Sequence, residues 1–299
     1  MTLETRHHRY RWRKKLYPYL WFLPVLVILG FAMAYPWAWS LIMSLHEWNL
    51  GTGMAPHFVG FANYIEVFQD DLFHLSLANS IRFMVITVTA QFVFGFAIAQ
   101  MLNRRLPLRR ILMLGILLPF MLTPAMVGLV WKILMHGSWG VLNHFLRSAG
   151  LSSVAWLSDP DVTIWTISII SIWQHTPWTA LILFAGLQAI PTDLIESATV
   201  DGANGFRVFV HITVPFLMPL IVIVLLFRTI FALRAFDIIY ALFRSGGPGN
   251  AAMVLGVYLY ETFRVFWDMG RSSAISFVVL GITLVLSGVF TLRVWRAES

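Results

Sequence analysis

Phosphate binding, metal chemistry and acid–base catalysis each need a recognisable set of side chains, and this sequence completes none of these sets. The lysines are Lys14, Lys15 and Lys132 and none follows a glycine, so no Gly-Lys-Ser/Thr phosphate cradle can form. The nine histidines make no His-Glu-x-x-His pair and no clustered spacing beyond His7-His8, so no metal site is expected. Glu66, Asp70 and Asp71 are close neighbours in a polar segment, the pattern of a solvated face, and no catalytic residue is assigned. Absence of cysteine excludes disulfides and thiolate ligands.

The polar side chains that demand explanation lie inside apolar stretches. Residues 219–243 carry Arg228, Arg234 and Asp237, and a charge at the centre of a membrane helix costs roughly 2.5–3.5 kcal/mol on insertion scales. Arg234 and Asp237 are about one helical turn apart, which predicts an intramembrane ion pair on one face. Arg228 falls near the opposite side of that helix and requires a partner on another helix. In residues 162–190, Trp173, Gln174, His175, Thr176 and Trp178 surround Pro177, which removes a backbone donor and is expected to open the helix locally. Aromatic faces with hydrogen-bonding groups between them suit a polyhydroxyl ligand, and Phe236 and Tyr240 are placed to face them. These seven residues are read as a solute-pathway region, although helix packing explains any one of them equally well.

A chain of 299 residues with 59% apolar and 12% charged side chains, and a mean hydropathy of +0.76, belongs in a bilayer. Apolar runs reach the roughly 20 residues needed to cross the hydrocarbon core, and six spans are expected at about 16–45, 80–102, 111–134, 162–190, 219–243 and 272–293. They form one transmembrane domain, 16–293, between a basic tail at 1–15 and a short tail at 294–299. Arg6, Arg9, Arg11, Arg13, Lys14 and Lys15 precede the first span, and Arg104, Arg105, Arg109 and Arg110 fill the next short loop but one, whereas 46–79 has no lysine or arginine. The positive-inside rule then puts both termini and the 191–218 loop in the cytoplasm. The net charge of +7 is a topology signal, and nucleic-acid binding is a poor reading of it. The first apolar run continues past Ala32-Met33-Ala34 to Leu45, too long for a typical cleaved signal, and is read as an uncleaved helix.

The 191–218 loop is the most informative stretch. Thr192 is placed to cap a short helix over 193–201, Asp193 to oppose its positive end, and Gly202 to stop it. Leu194, Ile195, Ala198, Thr199 and Gly202 share a smooth face suited to another protein's groove, with Asp193, Glu196 and Val200 on the other side. The loop resembles the cytoplasmic coupling loop of binding-protein-dependent ABC importer permeases: Glu-Ala-Ala, three residues, Gly, nine residues, Ile-x-Leu-Pro. Glu196, Ala198, Gly202, Ile212 and Pro215 fall on that pattern, while Ser197 replaces the first Ala and Val214 the Leu. The resemblance extends to Phe58-Val59-Gly60-Phe61-Ala62-Asn63-Tyr64, to Arg234-Ala235-Phe236-Asp237 and to Ser245-Gly246-Gly247-Pro248-Gly249-Asn250, each similar to a segment of the carbohydrate-uptake branch.

That resemblance implies an all-α integral membrane protein of the type I ABC importer permease fold, six transmembrane helices with a cytoplasmic coupling helix, in a bacterial inner membrane. It implies a transport subunit with no cofactor of its own. ATP and Mg would be bound by two partner ATPase subunits, engaged through Glu196, Ser197, Ala198, Asp201, Gly202, Ile212 and Pro215. A second permease subunit would complete a heterodimer, and an extracytoplasmic solute-binding protein would deliver a sugar or sugar-like solute. The rival is an ion-coupled secondary transporter energised through Asp237 and the arginines, which gives the loop pattern no role.

Overall fold

The computed structural model describes residues 3–104 and 106–298, with side chains described over 21–104 and 106–292. Arg6, Arg9, Arg11, Arg13, Lys14, Lys15 and Arg105, which carry much of the topology argument, and His7-His8 lie outside the described side chains.

Helix α1 (Leu3–Ser44) runs unbroken through the basic stretch and the first apolar run. A two-residue antiparallel pair, β1 (His46–Glu47) and β2 (His57–Phe58), is a small exception to an otherwise helical chain. Then come α2 (Ala62–Gln69), α3 (Asp71–Asn103), α4 (Arg109–Met121), α5 (Pro124–Leu134), α6 (Val141–Ser148) and α7 (Pro160–Gln188). The loop helix α8 (Thr192–Val200) leads to α9 (Gly205–Val208), a π-helical turn at Phe209–Thr213, and α10 (Val214–Leu233). The chain closes with α11 (Asp237–Phe243), a 3-10 turn at Pro248–Asn250, α12 (Leu255–Arg264) and α13 (Met269–Glu298).

Among the described residues five helical stretches are long and apolar enough to cross a membrane, and α4 with α5 makes a sixth if that bent pair counts as one span. The span expected at 111–134 falls on this bent pair, in which α4 and α5 meet at 94°. Pro124 opens α5 after extended residues Leu122 and Thr123, where its fixed φ and missing N–H are harmless. Pro177, by contrast, does not open α7, which is continuous through it. Aspartates start the two central helices: the Leu72 N–H donates to Asp70 Oδ1 at 2.8 Å and the Asp161 N–H to Asp159 Oδ1 at 2.9 Å.

Helices α3 and α7 form the centre of the bundle. Their buried faces carry small and polar residues, such as Ser80, Thr87, Gln91 and Gly95 on α3 and Thr163, Ser171 and Thr179 on α7. Such residues let backbones approach where lipid removes the hydrophobic drive between helices. Two of the hydroxyls on these helices are satisfied within their own helix: Thr87 Oγ1 donates to the Phe83 carbonyl at 2.7 Å and Thr176 Oγ1 to the Ile172 carbonyl at 2.6 Å. One apolar cluster, including Phe73, Ile167, Leu233 and Leu255, joins α3 and α7 to α11–α13, and a second, including Leu102, Leu183, Leu217 and Ile221, lies beside α8.

Two of the segments similar to permease motifs act as fasteners. Asn63 Nδ2 donates to the carbonyls of Ser44 and His46, both at 2.9 Å, and the Tyr64 hydroxyl donates to Ser44 Oγ at 2.8 Å, pinning α2 to the end of α1. The glycine-rich loop is held by α3: Asn79 Nδ2 donates to the carbonyls of Asn250 and Met253 at 3.1 Å, and Ser80 Oγ accepts the Leu255 N–H at 2.8 Å.

Candidate functional site

The loop helix has no buried residue. Its N-cap is Pro191, and Thr192 is the first helical residue and makes no cap bond, so the expected cap by Thr192 is not made; Asp193 does sit in the first turn. Its C-terminus is a Schellman closure, with the Ala203 N–H donating to the Ala198 carbonyl at 2.9 Å and the Gly202 N–H to the Thr199 carbonyl at 3.1 Å. Gly202 has φ +83, a conformation that glycine adopts without a Cβ penalty.

Of the expected docking face, Leu194, Thr199 and Gly202 are exposed. Ile195 and Ala198 are half-buried, and Ile195 sits against the chain's own second apolar cluster. The opposite side is free as well: Asp193, Glu196, Ser197 and Val200 are exposed, Val200 to 87%. Asp201 is exposed at the helix end, Ile212 is half-buried against the same cluster, and Pro215 is exposed in the first turn of α10. Pro215 cannot supply an N–H to the preceding turn. That turn widens into the π-helix, closed by the Val214 N–H to the Phe209 carbonyl.

A cavity of about 480 Å3 lies where α3, α7, α10 and α11 meet. His175, Trp178 and Phe236 line it, with Arg228, Arg234, Asp237 and Ser171. The other pathway candidates are not brought to it. Trp173 packs edge-on against Trp131 at 5.5 Å, Thr176 is turned to its own helix, and Tyr240 stacks behind Phe236 at 5.1 Å. Gln174 is buried, and its Nε2 donates to the Leu122 carbonyl at 2.9 Å, satisfying a backbone group freed by the α4–α5 bend.

The intramembrane ion pair is also corrected. Arg234 and Asp237 lie on either side of a break, with Arg234 the C-cap of α10 and Asp237 the first residue of α11, and Phe236 between them at φ −148, ψ −58. They no longer share a helical face, and among the described residues the ion pairs are His57–Glu47 and Arg271–Asp70. Arg228 does find its partner on another helix. Its Nε donates to Gln91 Oε1 at 2.7 Å, and Gln91 Nε2 donates onward to the Ser171 carbonyl at 3.1 Å, with His175 Nδ1 3.0 Å from the same carbonyl. Sequence reasoning missed Gln91 and Ser171; an amide near the middle of an apolar span was the available signal. Among the described residues no group of His, Asp or Glu is arranged to hold a metal ion.

Membrane-length helices around a mainly apolar cavity that holds a few polar side chains define the class, an integral membrane protein. The family model for "Binding-protein-dependent transport system inner membrane component" matches residues 91–296. The chain is 36% identical to the trehalose/maltose transport system permease protein MalF of Thermococcus litoralis, over 93% of this chain and 92% of that protein. It is 33% identical to the sulfoquinovosyl glycerol transport system permease protein SmoG of Agrobacterium fabrum, over 92% and 89%. The fold matches a chain in the crystal structure of a bacterial ABC transporter involved in the import of the acidic polysaccharide alginate, with TM-score 0.85 at 21% identity, covering 97% of this chain and 99% of that one. The chain belongs to the family of binding-protein-dependent transport system inner membrane components, and is a multi-pass ABC permease subunit, a transport component rather than an enzyme.

Proposed function

We propose that this chain is half of the transmembrane pore of an ATP-driven importer that carries a sugar or sugar-like solute into the cytoplasm. The observation that carries the reading is α8, a nine-residue exposed helix closed by Gly202 and hung between two membrane-length helices. Membership of the family and the sugar-transport names of its relatives support the solute class.

In this reading a second permease completes the pore, two ABC ATPases bind ATP and Mg, and an extracytoplasmic solute-binding protein delivers the solute. Both termini and α8 face the cytoplasm, and the β1–β2 pair, α6 and α12 face outwards. Glu196, Ser197, Ala198, Asp201, Gly202, Ile212 and Pro215 form the coupling loop, with Glu196 and Ser197 on the contact face. ATP-driven closure of the ATPases moves α8 as a lever. Ile195 and Ile212, packed on the second apolar cluster, pass that motion to α7 and α10 and switch access to the cavity.

The test is import into proteoliposomes holding this chain, its partner permease and the ATPases, with binding protein and radiolabelled trehalose, maltose or sulfoquinovosyl glycerol outside and ATP inside. Import that needs both ATP and the binding protein is expected. Import driven by an ion gradient without ATP would overturn the reading in favour of a secondary transporter. A C-terminal reporter active only outside the cytoplasm would overturn the orientation.

A further inference from the structure

Helices α10, α11 and α12 with their connections carry Arg228, Arg234, Arg244 and Arg264 against two carboxylates, Asp237 and Glu261, and among the described residues no ion pair joins any of them. The arginines follow a continuous aromatic path. Arg228 and Arg234 line the cavity with Phe236. Phe236 stacks on Tyr240 at 5.1 Å and packs against Tyr260 at 4.9 Å, and Tyr240 meets Tyr260 edge-on at 4.8 Å. Arg244 stands over the Tyr240 ring at 5.6 Å, and Arg264 Nη1 donates to the Tyr240 hydroxyl at 3.4 Å. Arg234, Arg244 and Arg264 are exposed, so their charges are offered to whatever enters.

Arg244 has a further oddity. It closes α11 with φ +61, a left-handed conformation in which glycine would sit unstrained and most side chains cost energy. The cap places its guanidinium over the Tyr240 ring.

Resting on the sugar-importer reading, we propose that this path selects an anionic saccharide, one bearing a carboxylate or sulfonate. Phe236, Tyr240 and Tyr260 take the apolar faces of the sugar rings, and Arg234, Arg244 and Arg264 take the acid group. Arginine suits this work because its planar fork pairs with two oxygens at once and is weakly hydrated. A neutral saccharide would offer these three guanidinium groups no charged partner.

The test is equilibrium binding to the complete permease–ATPase complex in nanodiscs, without binding protein, using digalacturonate and its neutral counterpart digalactose as probes. Digalacturonate is expected to bind at least roughly tenfold more tightly, with the preference shrinking as salt is raised. Arg244→Gln with Arg264→Gln, and separately Arg234→Gln, should each lower that preference by about tenfold, while Arg147→Gln on α6 should leave it intact. Equal binding of the two probes, or an acid preference unchanged in the variants, would overturn the proposal. Failure of the Arg234→Gln complex to assemble would also overturn it for that residue, by assigning the guanidinium to a carboxylate of the partner permease. The importer reading fails separately, if wild-type complex imports no saccharide with ATP and binding protein.

Discussion

Arg228, 4% exposed within the helix bundle, donates from Nε to Oε1 of Gln91 at 2.7 Å, tying α10 to α3 at the wall of the cavity. A neutral amide therefore receives a buried cation's hydrogen bond, and the amide's own donors are spent on Ser171 of α7.

Gln91→Leu should leave the Arg228 guanidinium without its acceptor and cost about 1.5–3 kcal/mol, the usual worth of a hydrogen bond to a charged group. Gln91→Leu combined with Arg228→Leu should lose less than the two single losses added. Thermal unfolding of the purified variants measures this, and strict additivity would show that the bond contributes nothing.

The break between α10 and α11 is wedged by α12. A Cβ on Gly256 would lie 2.6 Å from the Ala235 carbonyl oxygen, a backbone atom that cannot swing aside. Gly256→Ala should destabilise the protein by about 1–3 kcal/mol, as overpacking does, and reshape the cavity around Phe236. Unchanged thermal stability would show that the break is held elsewhere.

The two faces of α8 should behave oppositely. Val200→Asp is expected to leave thermal stability within about 0.5 kcal/mol, as exposed changes do, while reducing co-purification with the ATPase. Ile195→Asp should lower stability, because it places a charge against the apolar cluster. Gly202→Asp and Glu196→Lys should insert normally and uncouple uptake. If Gly202→Asp, Glu196→Lys and Val200→Asp all retain full ATPase association and uptake, α8 is a tether only.

Outside the membrane-length helices, the Tyr258 hydroxyl donates to Asp70 Oδ2 at 2.6 Å, and Arg271 donates to the same carboxylate oxygen and to the Tyr258 oxygen. Burial first, and then the bond to Asp70, push the Tyr258 phenol above its ordinary value of 10.0. A raised folded-state value favours the folded form while the phenol is protonated. That contribution is complete below the ordinary value and is lost as pH rises above it. Thermal stability should fall as pH is taken from about 9 to about 11, and Tyr258→Phe should flatten the part of that fall due to this residue. An identical alkaline profile in the variant would exclude the assignment.

The sequence by itself determined the membrane class and the short helix after Pro191, because membrane-length apolar runs, Gly202 and the loop spacing act locally along the chain. It also required that Arg228 find a partner across the bundle. It could not name Gln91, since which helices adjoin is settled only when α3, α7 and α10 pack. The same limit explains the misplaced ion pair. No proline or glycine marks the break at 234–236, so helical spacing predicted a shared face for Arg234 and Asp237, and packing by α12 instead separates them. The faces of α8 follow the same logic. Its smooth side looked free in sequence, yet Ile195 and Ala198 are half-buried, Ile195 against the second apolar cluster, while Glu196 and Val200 stay outward, because apolar area is withdrawn from solvent wherever the fold offers a surface to receive it.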